Sequence, residues 1–364
     1  MPSTTLAATS TIPARDTIEL DGAPDGWEQA VAAVYGAACQ PRADAMASVT
    51  PAPTPADQCP GPGRAAAAPM GDTLLTAATL GDDVIYGVGH PTGSGGFSFE
   101  VVAARLPSLG DQRGWYGIVP KIVAAIGSDA RPGEDPNSAR ADSIHLLALD
   151  GAGHGGVVGV PRDAWVQISG IGRNKINASL SLGGPAAMLQ TLADISGLNL
   201  DGYVLTGFTG FQEMVGNVLG GVDIDLPVAV VDRAAGANLT AGPQYLNGPQ
   251  ALSLARARKS LASGDLERQR NGGLLLLAAL SGAQHWGPLH LPVLISESTP
   301  WLSTDLTAAE LLAFSALALD TPLANIGNAV APGQIGRAGS ASVVYLSESA
   351  PVLFADLADG ALTP

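Results

Sequence analysis

"KIVAAIGSDARPGEDPNSARADSIHLLALDGAGHGGVVGV", residues 121–160, decides the fold class. "IVAAIG" is a short, continuous apolar run of the kind a fully buried strand requires. The polar loop "SDARPGEDPNSARAD" follows it, and then "SIHLLALD" and "GGVVGV" read as two strands joined by the Gly-rich turn "GAGHGG". Working outward, "GGPAAMLQTLADISG" has helical periodicity with Pro185 near its first turn. "DGYVLTGF" reads as a strand, "TGFQEMVGNVLGG" as a helix and "VDIDLP" as a strand again. A helix begins near "NGPQALSLARA", with Asn247 and Pro249 as start signals, and "GDLERQRNGGLLLLAALS" is another. "TDLTAAELLAFSALALD" is a helix capped by Thr304 or Asp305, "ASVVYL" a strand and "APVLFADLADG" a last helix. Strands alternating with helices across residues 120–360 predict a layered α/β domain.

The chain before this region reads differently. Residues 1–70 are rich in Ala, Pro, Thr and Ser, with one helix-like stretch near Trp27–Gly36. "TPAPTPADQCPGPGRAAAAP" (Thr50–Pro69) is expected as a linker or irregular loop. Residues 71–116 hold short β-like pieces such as "DDVIYGVG" and "FSFEVVAARL", with no function to assign. "GVGHPTGSGG" lacks both GxGxxG spacing and the lysine of a phosphate loop, so it reads as a hairpin or loose loop. The expected organisation is an irregular segment (1–70), a β-like region (71–116) and a catalytic domain (117–364).

A net charge of −15, from 18 basic and 33 acidic residues, excludes general nucleic-acid binding, which needs a basic surface. The cations are unevenly spread: residues 131–270 hold 11 of the 18 basic residues against 13 acidic ones. Surface ion pairs account for such a cluster, and so does a cavity for a polyanion. Cys39 and Cys59 form no metal signature, leaving either one loop-closing disulfide or two idle thiols. No run reaches the ~18 apolar residues of a transmembrane helix. The start, "MPSTTLAATSTIPARD", lacks the charged and apolar regions of a signal peptide.

Asp129, Arg140, Asp142, Arg162 and Asp163 all fall at strand ends or in adjoining loops, where α/β sheets usually bind ligands. Arg256 and Arg258 lie two apart, so they share a face only if the helix ends near Ala255 and the chain then runs extended. Arg268 sits one turn into the following helix, behind Asp265. Arg173 reads as a solvated charge, and Lys175 either as a further cation of the site or as an anchor that bonds carbonyls. His145 and His154 read as a strand residue and a turn residue. No GxSxG elbow or HExxH is present, which removes the common hydrolase readings.

The ordered set "IGSDARPG…ARADSIHLLALD…GVPRDAWVQI…NKINASLSLGGP", with "GFQEMVGNVLGGVDIDLP" and "YLNGPQALSLARARKS…GDLERQR", resembles the LytR–CpsA–Psr family over about Ile122 to Leu280. The C-terminal stretches resemble the tails of actinobacterial members. The resemblance implies a layered α/β/α domain with a central mixed sheet and a hydrophobic pocket for a prenyl chain. It implies a phosphotransferase outside the cytoplasmic membrane that moves a glycopolymer from a polyprenyl-pyrophosphate carrier to peptidoglycan, forming a phosphodiester. The partners implied are that lipid-linked glycan, the peptidoglycan acceptor and a membrane surface, and the cofactor is Mg²⁺. Matched by motif, Asp129 and Asp142 correspond to the metal-binding carboxylates. Arg140, Arg162, Arg256, Arg258 and Arg268 correspond to the pyrophosphate-binding arginines, and Asp142, Arg162 and Asp163 to the catalytic set. Such chemistry suits the residues: arginine offers a planar fork of donors to phosphate, and Mg²⁺ needs only two carboxylates when diphosphate and water complete its shell.

Two readings compete with a transferase: a non-catalytic prenyl-pyrophosphate binder, and a phosphatase that uses water as acceptor at the same site. One departure from the family pattern motivates the first. Gly272 stands where family members carry Gln, four residues after Arg268, and replacing it by Gln is expected to tighten binding and stabilise the helix. The arginines are expected to line one pocket, beside an apolar cavity walled by the helices at 184–196 and 265–280. The family's N-terminal anchor has no counterpart in the given sequence.

Overall fold

The computed structural model describes residues 18–35, 62–111, 113–258 and 264–363, so Cys39 and Cys59 lie outside the described residues. Strands β1 (Leu20–Asp21), β2 (Gly63–Met70), β3 (Thr73–Leu80), β4 (Asp83–Pro91) and β5 (Phe97–Arg105) form one sheet in that order. The β1–β2 pair is parallel and the others are antiparallel. Helix α1 (Trp27–Val34) covers one face, burying Trp27 and Val31 against Ile85 and Val101. The stretch read as a hairpin or loose loop is the β4–β5 hairpin, closed by Thr92 N–H donating to the Gly96 carbonyl at 2.8 Å.

The expectation of irregular chain through residue 70 does not hold for Gly63–Met70. Its Ala-rich run pairs with β3 from Arg64 to Met70, and small side chains let it pack under a helix. Composition pointed to a linker because nothing in "GRAAAAPM" is bulky; the ladder to β3 supplies the order.

The second sheet takes β6 (Lys121–Ser128), β7 (Ala141–Leu149) and β8 (Gly155–Gly159), followed by the hairpin β9 (Trp165–Ile168) and β10 (Gly172–Lys175). Next come α2 (Ala178–Ser196), β11 (Gly202–Thr206) and α3 (Phe208–Glu213), which runs on through a wider π turn to Val218. Two small antiparallel pairs follow, built from β12 (Val222–Leu226), β13 (Val230–Asp232), β14 (Ala237–Leu239) and β15 (Gly242–Leu246). Then come α4 (Gly248–Arg256), α5 (Asp265–Trp286), α6 (Leu291–Ser298), β16 (Ser303–Thr304) and α7 (Ala308–Asp320). The chain closes with β17 (Ile326–Val330), the hairpin β18 (Gly333–Ala338) and β19 (Ala341–Leu346), and α8 (Ala350–Leu357).

The central sheet has the order β16-β11-β6-β7-β8-β17 and is mixed: β11 runs parallel to β6, and β17 to β8. On one face, Leu180, Met188 and Leu192 of α2 and Phe354 of α8 pack onto Ile144 and Leu146. On the other lie α5, against β7, β8 and β17, and behind it α7. This is a three-layer α/β/α arrangement. The N-terminal sheet adds a further layer: Leu75, Tyr86 and Val102 share a core with Leu291 and Ile295 of α6 and Leu311 and Leu312 of α7. Tyr116 donates to the Asp320 carboxylate at the end of α7, and Arg105 Nε stands 3.4 Å from the same group.

Two helix starts differ from the sequence reading. α2 begins at Ala178 and kinks at Gly184 (φ 71°, ψ −173°), with Pro185 opening its second half. The apolar period shows only that second half, because glycine's left-handed φ breaks the phase. α7 is capped by Thr307, not Thr304 or Asp305. Thr307 and Glu310 exchange side-chain and backbone bonds in a capping box.

Candidate functional site

The β6–β7 register shifts at the strand end: Gly127 pairs with Ser143, but Ser128 pairs with Ala141. Asp142 is therefore the extra residue of a bulge, which re-aims its side chain. The fully buried Gln269 of α5 pins this bulge from above. Its Nε2 donates to the Asp142 carbonyl and its Oε1 accepts the Ile144 N–H, each at 3.4 Å.

Among the described residues, Asp142 and Asp265 form a cluster with the guanidiniums of Arg162 and Arg268. Arg162, just beyond β8, donates to Asp142 Oδ1, and Arg268 Nη1 stands 4.0 Å from Asp142 Oδ2. Arg268 also donates to Asp265, whose Oδ1 lies 3.9 Å from Arg162 Nε. Arg268 and Asp265 are only 5% and 8% exposed. Burial pushes the Asp265 carboxyl above its usual range, with Arg268 opposing, and burial pulls the Arg268 guanidinium down. Burial works against the Arg162 charge too, but its bond to Asp142 outweighs that and raises it. The Nε atoms of both arginines are buried without a hydrogen-bond partner among the described residues. Asp265 and Gln269 were not among the sequence-derived site residues. The i, i+3 spacing of Asp265 and Arg268 was the available signal for the first.

The other sequence-derived residues are placed as follows. Arg256 ends α4, and its guanidinium carbon stands 4.8 Å from the centre of the Phe208 ring. Ala257 is extended, so Arg258 leaves the helix; its N–H donates to Asp232 Oδ2 at 2.8 Å, and its charge reaches Arg268. Asp129 exchanges bonds with exposed Arg140, whose N–H donates to Asp129 Oδ1 at 2.9 Å. Asp163 accepts from Lys175 Nζ at 2.7 Å, so Lys175 holds a carboxylate, and the alternative of a carbonyl anchor is not the one seen. Arg173 is exposed, as read. Arg162 and Arg268 thus share one cluster, interleaved with carboxylates instead of crowding bare against each other.

Next to the cluster opens an apolar tunnel of about 390 Å³. Leu275 and Leu276 of α5, Phe211 of α3, Leu294 of α6 and Phe314 of α7 wall it, while Asp142, Ser143, His145 and Arg256 meet it at the polar end. The arginines expected to line one pocket do not do so together: Arg256 lines the tunnel, whereas Arg162 and Arg268 stand behind Asp142, bound to carboxylates. The expected contribution of the helix at 184–196 is absent: α2 lies across the sheet, on the opposite face. Periodicity shows that a helix has an apolar face but not which side of the sheet receives it.

Gly272 also lines the tunnel. A Cβ there would meet His145 Cε1 at 2.5 Å and Nε2 at 2.9 Å, so the imidazole fills the space that a longer side chain needs. His145 is 1% exposed, and its Nε2 lies 2.8 Å from the Gln269 carbonyl. A carbonyl only accepts, so Nε2 carries the proton and Nδ1 accepts from Ser143 Oγ at 3.2 Å. Burial pushes the His145 pKa down to about 4, with the Gln269 carbonyl opposing the shift. The expectation that Gln at 272 stabilises the helix is therefore contradicted by its neighbours.

Among the described residues, no group of three or more His, Cys, Asp and Glu converges as a protein-only metal cage requires. Asp129 and Asp142 lie at the ends of the paired strands β6 and β7, Asp129 accepting the Arg140 N–H and Asp142 held by Arg162. Carboxylates are the donor type Mg²⁺ takes when phosphate oxygens and water complete its shell.

The fold is a layered α/β/α domain with an apolar tunnel that meets Asp142 and Arg256 at its polar end. The chain belongs to the LytR_cpsA_psr family, whose model matches residues 119–352. A relative is the "probable cell wall biosynthesis protein LcpB" of Corynebacterium glutamicum, 32% identical over 179 residues, which are 46% of this chain and 43% of the relative. Another is "polyisoprenyl-teichoic acid–peptidoglycan teichoic acid transferase TagV" of Bacillus subtilis, 33% identical over 138 residues, 35% of each chain. The chain thus matches less than half the length of these curated relatives. Among solved structures, the "LytR-Csp2A-Psr enzyme from Actinomyces oris" superposes with a TM-score of 0.53 at 21% identity, covering 65% of this chain and 89% of that one. "TagT bound to LI-WTA" gives 0.55 at 22% identity, with 68% and 92% covered. At such identities the likeness is one of fold. Among the described residues, no helix is long and apolar enough to cross a membrane.

Proposed function

We propose that the protein transfers a glycopolymer from a polyprenyl-pyrophosphate carrier to peptidoglycan, outside the cytoplasmic membrane, with formation of a phosphodiester. One observation carries this reading: the apolar tunnel reaches Asp142, the carboxylate that Arg162 and Arg268 flank. The tunnel suits an alkyl chain, and the guanidiniums suit the diphosphate joined to it. Arg162 and Arg268 offer their remaining N–H donors to phosphate oxygens, and Arg256 does so from the tunnel wall, braced by Phe208. Exclusion of water by the surrounding helices strengthens each of these contacts. An acceptor hydroxyl bonds to the phosphorus that carries the glycan and loses its proton, while prenyl phosphate departs with the electrons of the broken anhydride bond and takes up a proton. Such transfer needs positioning and charge neutralisation more than covalent help from the protein. Asp129 and Asp142 would hold a Mg²⁺ ion, which when bound neutralises charge developing on the phosphates.

Turnover of a labelled prenyl-pyrophosphate glycan, with and without peptidoglycan, tests the reading. Glycan joined to peptidoglycan supports it. Release to water alone makes the protein a phosphatase, and tight binding without turnover makes it a carrier-binding protein. Asp142→Ala is expected to abolish metal-stimulated transfer with the fold kept; wild-type transfer in that variant overturns the metal assignment.

A further inference from the structure

A second cleft, of about 350 Å³, opens beside the tunnel and shares Gly207 and Leu302 with it. It lies at the exit of the parallel strands β6 and β11, between the loop that follows Asp129 and the segment 300–303. Its walls are built firmly. Asp135 accepts from Asn137 N–H, from Asn137 Nδ2 and from Ser138 Oγ, while Ser303 Oγ donates to Asn137 Oδ1 at 2.7 Å. These bonds tie the loop to the segment opposite. A Cβ on Gly207 would stand 3.2 Å from Ala130 Cβ and 3.3 Å from Pro136, so the first turn of α3 is seated directly on the loop.

The lining is mixed in a particular way. Trp301, 37% exposed, supplies an aromatic wall. Arg131 has no carboxylate within ion-pair reach among the described residues, leaving its guanidinium free to donate. Glu134 accepts the Arg131 N–H through one oxygen at 2.8 Å and keeps the other for a ligand. Thr209 adds a hydroxyl. A purely apolar ligand leaves these rim groups unused, and a polyanion meets Glu134 unfavourably. A neutral ring with one C–H face and several hydroxyls uses all of them: its face against indole, its hydroxyls donating to Glu134 and accepting from Arg131.

We propose that this cleft is a pyranose subsite, which seats a neutral sugar ring of a glycan beside the tunnel mouth. Its place in the reaction rests on the transferase reading; its affinity for sugar does not. The ring belongs either to the acceptor strand or to the glycan on the carrier.

The test uses the intact protein and three probes, measured by calorimetry and by saturation-transfer NMR. They are a soluble disaccharide-peptide fragment of peptidoglycan, geranyl pyrophosphate, and geranyl pyrophosphate carrying one N-acetylglucosamine. Trp301→Ala is expected to weaken a sugar-bearing probe at least tenfold, with geranyl pyrophosphate changed less than twofold. Arg131→Ala, a change on an exposed loop that breaks no ion pair, is expected to do the same about fivefold without altering the fold. Loss confined to the peptidoglycan fragment identifies an acceptor subsite; loss confined to the glycosylated carrier identifies a donor subsite. The proposal is overturned if neither variant weakens a sugar probe, if wild type binds no sugar probe, or if all three probes weaken equally. Failure of geranyl pyrophosphate alone to bind wild type would instead count against the tunnel assignment.

Discussion

Gly272→Ala pits helix propensity against packing, and the geometry decides the sign. In an unconstrained helix, alanine gains about 1 kcal/mol over glycine. Here the new methyl would sit 2.5 Å from His145 Cε1 and 2.9 Å from Nε2. The imidazole has little freedom to yield, being 1% exposed and held between Gln269 O at 2.8 Å and Ser143 Oγ at 3.2 Å. Forcing a methyl into a packed site costs about 1–3 kcal/mol. If the ring is displaced, its bond to Gln269 is lost as well, at about 0.5–1.5 kcal/mol. Packing wins, and the net expectation is destabilisation by about 1–3 kcal/mol, with Gly272→Gln no better. Urea unfolding of the two single variants and of the double variant with His145→Ala reads this directly. In the His145→Ala background the same Gly272→Ala change should become neutral or stabilising, a coupling of 1 kcal/mol or more between the two sites. Gly272→Ala matching or exceeding wild-type stability, with no coupling to His145, would refute the reasoning.

His145 also sets an acid limb. Its folded pKa of about 4 lies below the ordinary 6.5, so the unfolded chain binds the extra proton first, and stability is lost as pH falls from about 6.5 to 4. The loss attributable to this group is about 3 kcal/mol, and unfolding of His145→Gln should show a flatter profile across that window. Arg268→Ala leaves the Asp265 carboxylate buried without its partner and should cost about 3–5 kcal/mol, whereas Arg268→Met with Asp265→Leu should recover most of that loss while abolishing prenyl-pyrophosphate binding. Recovery of binding in the double variant would remove the cluster from the anion site. Phe208→Leu should weaken geranyl-pyrophosphate binding several-fold through looser placement of Arg256; an unchanged Kd would show that the ring contact is incidental.

The strands of the central sheet were legible because their apolar runs are short and bounded by glycine or polar turns, as at "GAGHGG" between β7 and β8. The strand-end position of Arg162 and the departure of Arg258 from α4 were legible too, since both follow from where regular elements stop. Sidedness was not. α2 and α5 carry similar apolar signals, and only the crossover into β11 places α2 on the face away from the tunnel. Asp265 looked like any acid in a helix's first turn, and its place in the cluster depends on Arg162, far away in the chain. Gly272 looked like a defect because propensity is local, whereas the side chain that justifies it arrives from β7. Gly63–Met70 looked like linker because a sheet can recruit small residues whose composition carries little strand signal.

Leu291, Ile295 and Leu311 each belong both to the tunnel lining and to the core shared with the N-terminal sheet. Along that side the partition between channel and sheet is one side chain thick. The bore of the channel is thus calibrated by residues 73–105, which lie outside the family-matched segment 119–352. Enlarging Ala77 or Ala103, which belong to that shared core, is expected to narrow the passage without changing a channel residue. The N-terminal sheet acts as a gauge on the width of the channel, set from outside the segment that the family model matches.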